Sequence, residues 1–177
     1  MKKLLTHELN RLSTGDFQEL VKFPLVLVLD NVRSMHNVGS VFRTADAFAI
    51  EKIVLCGITA QPPHREIDKT ALGATNSVTW EYAEHTLDAV SQLKADGYEV
   101  WAIEQLHNSQ MLQDFEPVKG VKYALVFGNE VSGVSDDVLP ACNGGIEIPQ
   151  FGTKHSFNIV ISAGIVVWDF YTKLKFH

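Results

Sequence analysis

An α/β fold with a mainly parallel sheet and helices on both faces is what this 177-residue sequence predicts. Short β-branched runs alternate with helix-like segments along the whole chain. Two of the runs, residues 25–29 and 124–127, are apolar at nearly every position, as strands covered on both faces require. The C-terminal segment 157–173 carries apolar side chains all round, from Ile159 and Val160 to Phe170 and Tyr171, so it must be buried on most sides.

In chain order, residues 1–24 read as a short helical lead-in, with 10–13 and 16–20 docking on the body. Strands are expected at 25–30, 52–56, 78–82, 98–103, 123–127 and 146–148, and helices at 38–49, 66–72, 87–96 and 135–141. Asn37 is placed to cap the first of these helices, Thr86 to cap the third, and Gly97 to end it. Without repeat, low-complexity tract or linker, residues 1–177 read as one domain, with 25–177 as its core. Burial of the last helix against a partner subunit predicts a homodimer; burial against its own sheet is the alternative.

Hydrophobic residues make up 46% and charged residues 20%, values of an ordinary globular protein. No long apolar run follows the N-terminal lysines, so no secretory signal is expected, and the run 159–167 is too short to span a bilayer. Cys56 and Cys142 have no partners at zinc-finger spacing, so no metal is expected and a reducing, cytoplasmic setting is. The net charge of −6 counts against a nucleic-acid partner. Local chemistry can override it, and Lys2, Lys3, Arg11, Arg33, Arg43, Arg65, Lys69 and Lys154 are the cations available for a basic patch.

Three loops carry polar chemistry. The first runs from Asp30 through Asn37 into Val38-Gly39-Ser40-Val41-Phe42-Arg43. On a helical wheel Arg43 falls opposite the apolar stripe, near Ser40 and His36, and a cation early in a helix calls for a nearby anion such as a phosphate. A solvated surface arginine is the plainer reading. The second loop is Phe127-Gly128-Asn129-Glu130-Val131-Ser132-Gly133, where Gly128 admits a close approach to the backbone and Gly133 a turn at positive φ. Glu130 stands beyond the end of a strand, where ligands of open α/β sheets lie; as structure alone it is a helix-terminal carboxylate. The third runs from Ile146-Glu147-Ile148-Pro149 to Ser156-Phe157-Asn158. Either it folds over a ligand, or Ser156 and Asn158 only cap the last helix. No Walker-type phosphate loop or dinucleotide fingerprint is present, which argues against an ordinary nucleotide hydrolase or dehydrogenase.

In this order the three loops resemble the signature motifs of the SpoU–TrmH branch of the SPOUT RNA methyltransferases, and the resemblance covers residues 25 to the C-terminus. It implies a C-terminal trefoil knot, and S-adenosylmethionine held bent against backbone groups at Gly128, Ile148 and Phe157, with the strand end near Ile103. It also implies dimerisation through the first and last helices. Around the reacting centre it places Arg43, Glu130, Ser156 and Asn158, supported by Asn37. The implied activity is methylation of a ribose 2′-hydroxyl in tRNA or rRNA, with Arg43 acting either as base or as a grip on phosphate and developing alkoxide. The guanidinium's permanent charge sits poorly with the base role. Phe157 stands where leucine is usual in the family. A base-methylating enzyme on the same scaffold and a non-catalytic RNA-binding module are the competing readings; retained Arg43, Ser156 and Asn158 favour ribose chemistry.

Overall fold

The computed structural model describes residues 1–176. A 3-10 turn (Thr6–Leu9) and a short helix α1 (Thr14–Glu19) lead into β1 (Phe23–Asp30) and α2 (Met35–Ala47). There follow β2 (Ile50–Cys56), α3 (Arg65–Ala71), β3 (Trp80–Ala83), α4 (Thr86–Ala95) and β4 (Tyr98–Ile103). The chain ends with β5 (Gln110–Met111), β6 (Lys122–Phe127), β7 (Gly144–Glu147) and the long helix α5 (Ile159–Phe176). The seven strands form one sheet in the order β3-β2-β1-β6-β4-β7-β5, with every pairing parallel. All strands therefore end at the same edge, and the loops that follow β1, β4, β6 and β7 meet there.

Strand periodicity decides which residues face which layer. Leu25, Leu27, Leu29, Tyr123, Leu125 and Phe127 point toward α2, α3 and α5. Val26, Val28, Ala124 and Val126 point the other way, toward α4 and the segment after Val134. Both faces are covered, which is why these strands lack polar alternation.

α5 buries Ile159, Ala163, Val166, Val167 and Phe170, spaced to form one stripe. Phe170 stacks on Phe115 at 5.3 Å between ring centroids and meets Tyr123 edge-on. The opposite side leaves Ile161 half exposed and Trp168 55% exposed. The all-apolar character of α5 thus has two origins: one face lies on the sheet, the other is open. Among the described residues no helix is long and apolar enough to cross a membrane.

Several expected features shift. Residues 135–141 form no α-helix, only successive turns ending in a 3-10 turn at Leu139–Ala141. Pro140 has no N–H to donate back along a helix. Ser34, not Asn37, caps α2, accepting from the Asn37 N–H at 3.3 Å. His85 occupies the cap position of α4, while the Thr86 hydroxyl donates to buried Asp30 at 2.5 Å. Gly97 follows α4 at φ 85, as expected of a helix terminator. Of the lead-in ahead of β1, Phe17 is buried and the Gln18 amide donates to the Asn76 carbonyl, whereas residues 10–13 are exposed and do not dock as expected. β7 begins on Gly144 and Gly145 rather than Ile146. A Cβ there would come within 2.6 Å of Trp101 and 2.7 Å of Leu106, so tight neighbours rather than strand propensity place these residues.

Candidate functional site

Along the shared edge, beyond the ends of β4, β6 and β7, lies a cleft of about 700 Å³, within the range of small-molecule sites. Ile103, Gly128, Glu130, Ile148, Ser156, Phe157 and Asn158 all line it. Seven of the nine residues singled out from sequence therefore meet in one cavity. Asn37 borders it by hydrogen bonds. Arg43 does not line it.

The loop after β6 is held by its own chain. Asn129 and Gly133 exchange backbone hydrogen bonds at 2.9 Å in both directions, and Gly133 sits at φ 72. A Cβ on Gly128 would stand 2.0 Å from the Gly133 carbonyl carbon and 2.1 Å from the Val134 nitrogen. The missing side chain at Gly128 is thus required by this crossing of the backbone, and room for a ligand is not its primary cause. The Asn129 amide donates to the Asn31 carbonyl at 2.7 Å, tying the loop to the end of β1.

Glu130 reaches from this loop to the start of α2. Its carboxylate accepts the N–H groups of Arg33 and Ser34, each at 3.0 Å, and the Asn37 side-chain amide at 2.9 Å. Desolvation pushes the Glu130 carboxyl upward. Donations from the Arg33 N–H, its own backbone, the Asn37 amide and the Ser34 N–H outweigh that and hold it below its ordinary 4.5. A carboxylate so committed is a brace and a poor proton acceptor. Asn37 also accepts from the Asn158 amide at 3.4 Å, and Asn158 Oδ1 accepts the Val160 N–H at 2.9 Å, capping α5. Asn158 therefore both caps a helix and borders the cleft. Ser156 lines the cleft with no hydrogen-bond partner among the described residues.

Glu130 aside, sequence reasoning missed the acids. Glu104, Glu130, Asp136 and Glu147 line the cleft, and among the described residues no lysine or arginine does. Glu104 accepts the N–H groups of Gln105 and Val134, and Glu147 accepts the Ser109 hydroxyl. An anionic lining suits a ligand bearing positive charge and repels polyphosphates. Gln105 was missed too; its amide donates to the His155 carbonyl at 2.7 Å and pins the third loop over the cleft. No local pattern marks Glu104, Gln105 and Glu147, because each contacts a partner at least 30 residues away in sequence. Deeper still, Asp30 is fully buried and receives Thr86, the Ser135 N–H and Asn31, which fixes the end of β1 under the cleft.

Arg43 lines an adjoining shallow groove with Ser40, Thr44, Phe48, Lys69 and Val160. It is exposed, on the far side of α2 from the buried stripe, as helical spacing predicts. Burial raises the Cys56 thiol to about 12 and the Cys142 thiol to about 11, so neither is a thiolate near neutrality. Among the described residues no cluster of histidine, cysteine and carboxylate could hold a metal ion.

Known proteins are similar to this chain in sequence and fold. The 23S rRNA (guanosine-2'-O-)-methyltransferase RlmB of Neisseria meningitidis serogroup B is 28% identical over 150 residues, 85% of this chain and 59% of that protein. An AdoMet-bound rRNA methyltransferase from Sinorhizobium meliloti superposes with a TM-score of 0.80 at 27% identity, covering 89% of this chain and 60% of that one. The A. aeolicus TrmH/SpoU tRNA modifying enzyme shares the fold, with a TM-score of 0.79 at 21% identity over 90% of this chain and 81% of that one. The chain spans about 60% of the length of the curated relatives it matches. Residues 24–168, which include all three loops and the cleft they build, match the SpoU rRNA Methylase family, and the chain belongs to that family.

Proposed function

We propose that this chain is an S-adenosylmethionine-dependent methyltransferase acting on a ribose 2′-hydroxyl of tRNA or rRNA, with residues 25–177 as its catalytic unit. The observation that carries the reading is the convergence of Gly128, Glu130, Ile148, Ser156, Phe157 and Asn158 on one acid-lined cleft. Its charge suits the sulfonium and ammonium of S-adenosylmethionine, and the two similar proteins act on rRNA, one of them bearing AdoMet. When bound, the cofactor supplies a methyl group on a positively charged sulfur.

The protein's own residues hold and orient. Ile103, Ile148 and Phe157 supply apolar contact for the adenosyl group, and Phe157, 40% exposed, covers it from the third loop. Backbone groups around Gly128 and Ile148 supply hydrogen bonds. Glu130 and Asn37 fix the mouth of the cleft against α2 and carry no proton. Ser156, whose hydroxyl has no partner within the described residues, and Asn158 orient the ribose. Arg43 grips phosphate next to the target ribose and steadies negative charge developing on the attacking oxygen, a task that a permanently charged planar fork performs well.

Two structural readings belong with this one. After β7 the chain returns across the strand ends, past Gln105 to Asn37, while the second loop crosses itself at Gly128 and Gly133. That path supports a trefoil knot in the C-terminal part. The open face of α5, with Ile161 and Trp168, supports a homodimer through this helix. Mapping of 2′-O-methyl sites in total RNA, from cells with and without the protein, tests the activity. One site should disappear without it and stay absent when Arg43→Ala is supplied. An unchanged map, together with no calorimetric binding of S-adenosylmethionine, refutes the proposal.

A further inference from the structure

The structure gathers cations that the sequence scatters. α3 presents Arg65 and Lys69 one turn apart, both exposed, and Arg43 and Lys69 line the same groove between α2 and α3. Like charges four residues apart on a helix repel, so such a pair is retained at a cost unless an anion visits it.

An anion already stands in the groove's wall. Glu66 receives Lys69 Nζ on both carboxylate oxygens, at 2.7 and 2.8 Å, and His36 Nε2 lies 2.9 Å from one of them. All three groups are on the surface, where such an ion pair is weak and readily exchanged. Arg43 makes no ion pair among the described residues. The hydroxyls nearby are spoken for: Ser40 and Thr70 donate to the His36 carbonyl and Thr44 to the Ser40 carbonyl. Ligand donors in the groove are therefore the charged ones, Arg43 and Lys69. A single helix joins groove and cleft. Asn37, hydrogen-bonded to cleft residues Glu130 and Asn158, lies six residues before Arg43, or about 9 Å along the axis of α2.

We propose that the groove between α2 and α3 holds the backbone of the substrate RNA, with one phosphate displacing Glu66 from Lys69 and lying between Lys69 and Arg43. This rests on the RNA methyltransferase reading and adds where the substrate is gripped. Lys69 is a positioning residue: it fixes the strand so that a neighbouring ribose reaches the cleft. Glu66 is a stand-in for the phosphate, which pairs with Lys69 when RNA is absent.

The test uses bulk tRNA as probe, measuring binding by anisotropy across a series of salt concentrations for the wild-type protein, Lys69→Ala and Glu66→Gln. Losing one phosphate contact should reduce the slope of log affinity against log salt by about 0.7 to 0.9 in Lys69→Ala. Its KM for RNA should rise with little change in kcat, and S-adenosylmethionine affinity should be unaltered. Glu66→Gln should bind RNA more tightly than wild type, since Lys69 no longer has a competing carboxylate. A purely structural surface pair would give neither the slope change nor the gain. If the wild type methylates RNA while Lys69→Ala keeps its salt slope, the groove assignment falls alone. A wild type that binds neither S-adenosylmethionine nor tRNA overturns the functional reading and this inference with it.

Discussion

Replacing Glu130 by glutamine isolates what its charge does, because the side chain keeps its shape and mimics the protonated acid. In the wild type three donors converge on the carboxylate: Arg33 N–H on Oε2, and Ser34 N–H with the Asn37 amide on Oε1. Glutamine has one oxygen. It can serve the Ser34 and Asn37 pair, but then its NH₂ faces the Arg33 N–H, so one hydrogen bond is replaced by an opposition of donors. A charged hydrogen bond is worth about 1.5–3 kcal/mol when buried, and this site is exposed to solvent, so the loss should be about 1 kcal/mol. For a chain of this length that lowers the midpoint of thermal unfolding by about 2–4 °C. The pH dependence carries the sign. The folded-state carboxyl lies below its ordinary 4.5, so its stabilisation is fully present above pH 4.5 and is lost as pH falls through the lower folded value. Melting curves of both proteins from pH 7 down to pH 3 should therefore show a gap that is constant near neutrality and closes below pH 4.5. A gap that persists undiminished at pH 3, or no gap at pH 7, would show that the three donors are not what Glu130 is for.

The remaining expectations test other parts of the same edge. Gly128→Ala places a Cβ 2.0 Å from backbone that cannot rotate away, so it should cost about 3 kcal/mol or more; a urea midpoint equal to wild type would contradict the crossing. Asp30→Ala orphans Thr86, the Ser135 N–H and the Asn31 amide in a buried site, and should cost about 3 kcal/mol by urea titration, well above the loss at Glu130. Trp168→Glu puts a charge on the open face of α5 and should convert a sedimenting dimer into monomers, with a thermal midpoint that falls and no longer rises with protein concentration. A wild-type protein already monomeric at micromolar concentration would remove the dimer from the proposal.

The layers were legible because period-two burial leaves a direct mark on composition. A strand covered on both faces has no polar positions, and residues 25–29 and 124–127 have none. β4 is expected at 98–103 and found as Tyr98–Ile103, where buried residues alternate with half-buried ones. What was misread lacks that mark. β5 is two exposed residues at the sheet's edge, and β7 starts on glycines dictated by Trp101 of β4 and Leu106 of the loop after it. Residues 135–141 look helical by spacing, yet Pro140 in their interior cannot donate a backbone hydrogen bond, and the segment closes in successive turns instead.

The cleft follows the same division. Its positions were recoverable because three loops at strand ends share an edge in any parallel sheet, so Gly128, Glu130, Ile148 and Ser156 had to come near one another once the strands were assigned. Their roles were not recoverable. Gly128 looked like an opening for a ligand and proves to be a crossing point of the chain. Glu130 looked like a reacting acid or the ornament of its own helix, and it braces the start of α2, 93 residues away from Asn37 in sequence. Asn158 looked like either a cap or a site residue and is both. In each case the residue type expresses a local demand, backbone space or donor satisfaction, that ligand binding and chain packing impose alike. Only the identity of the partner separates the two, and partners are a property of the fold. Arg43 shows the converse. Its exposure was read correctly from the helical wheel, yet what gives it meaning is Lys69, 26 positions on and brought alongside by the packing of α3 on α2. That packing is close because Gly39 has no side chain: a Cβ there would stand 2.2 Å from the Ile67 carbonyl oxygen. Gly39 touches neither cofactor nor RNA in this reading, yet by letting α3 approach α2 it sets the width of the groove between the two cations.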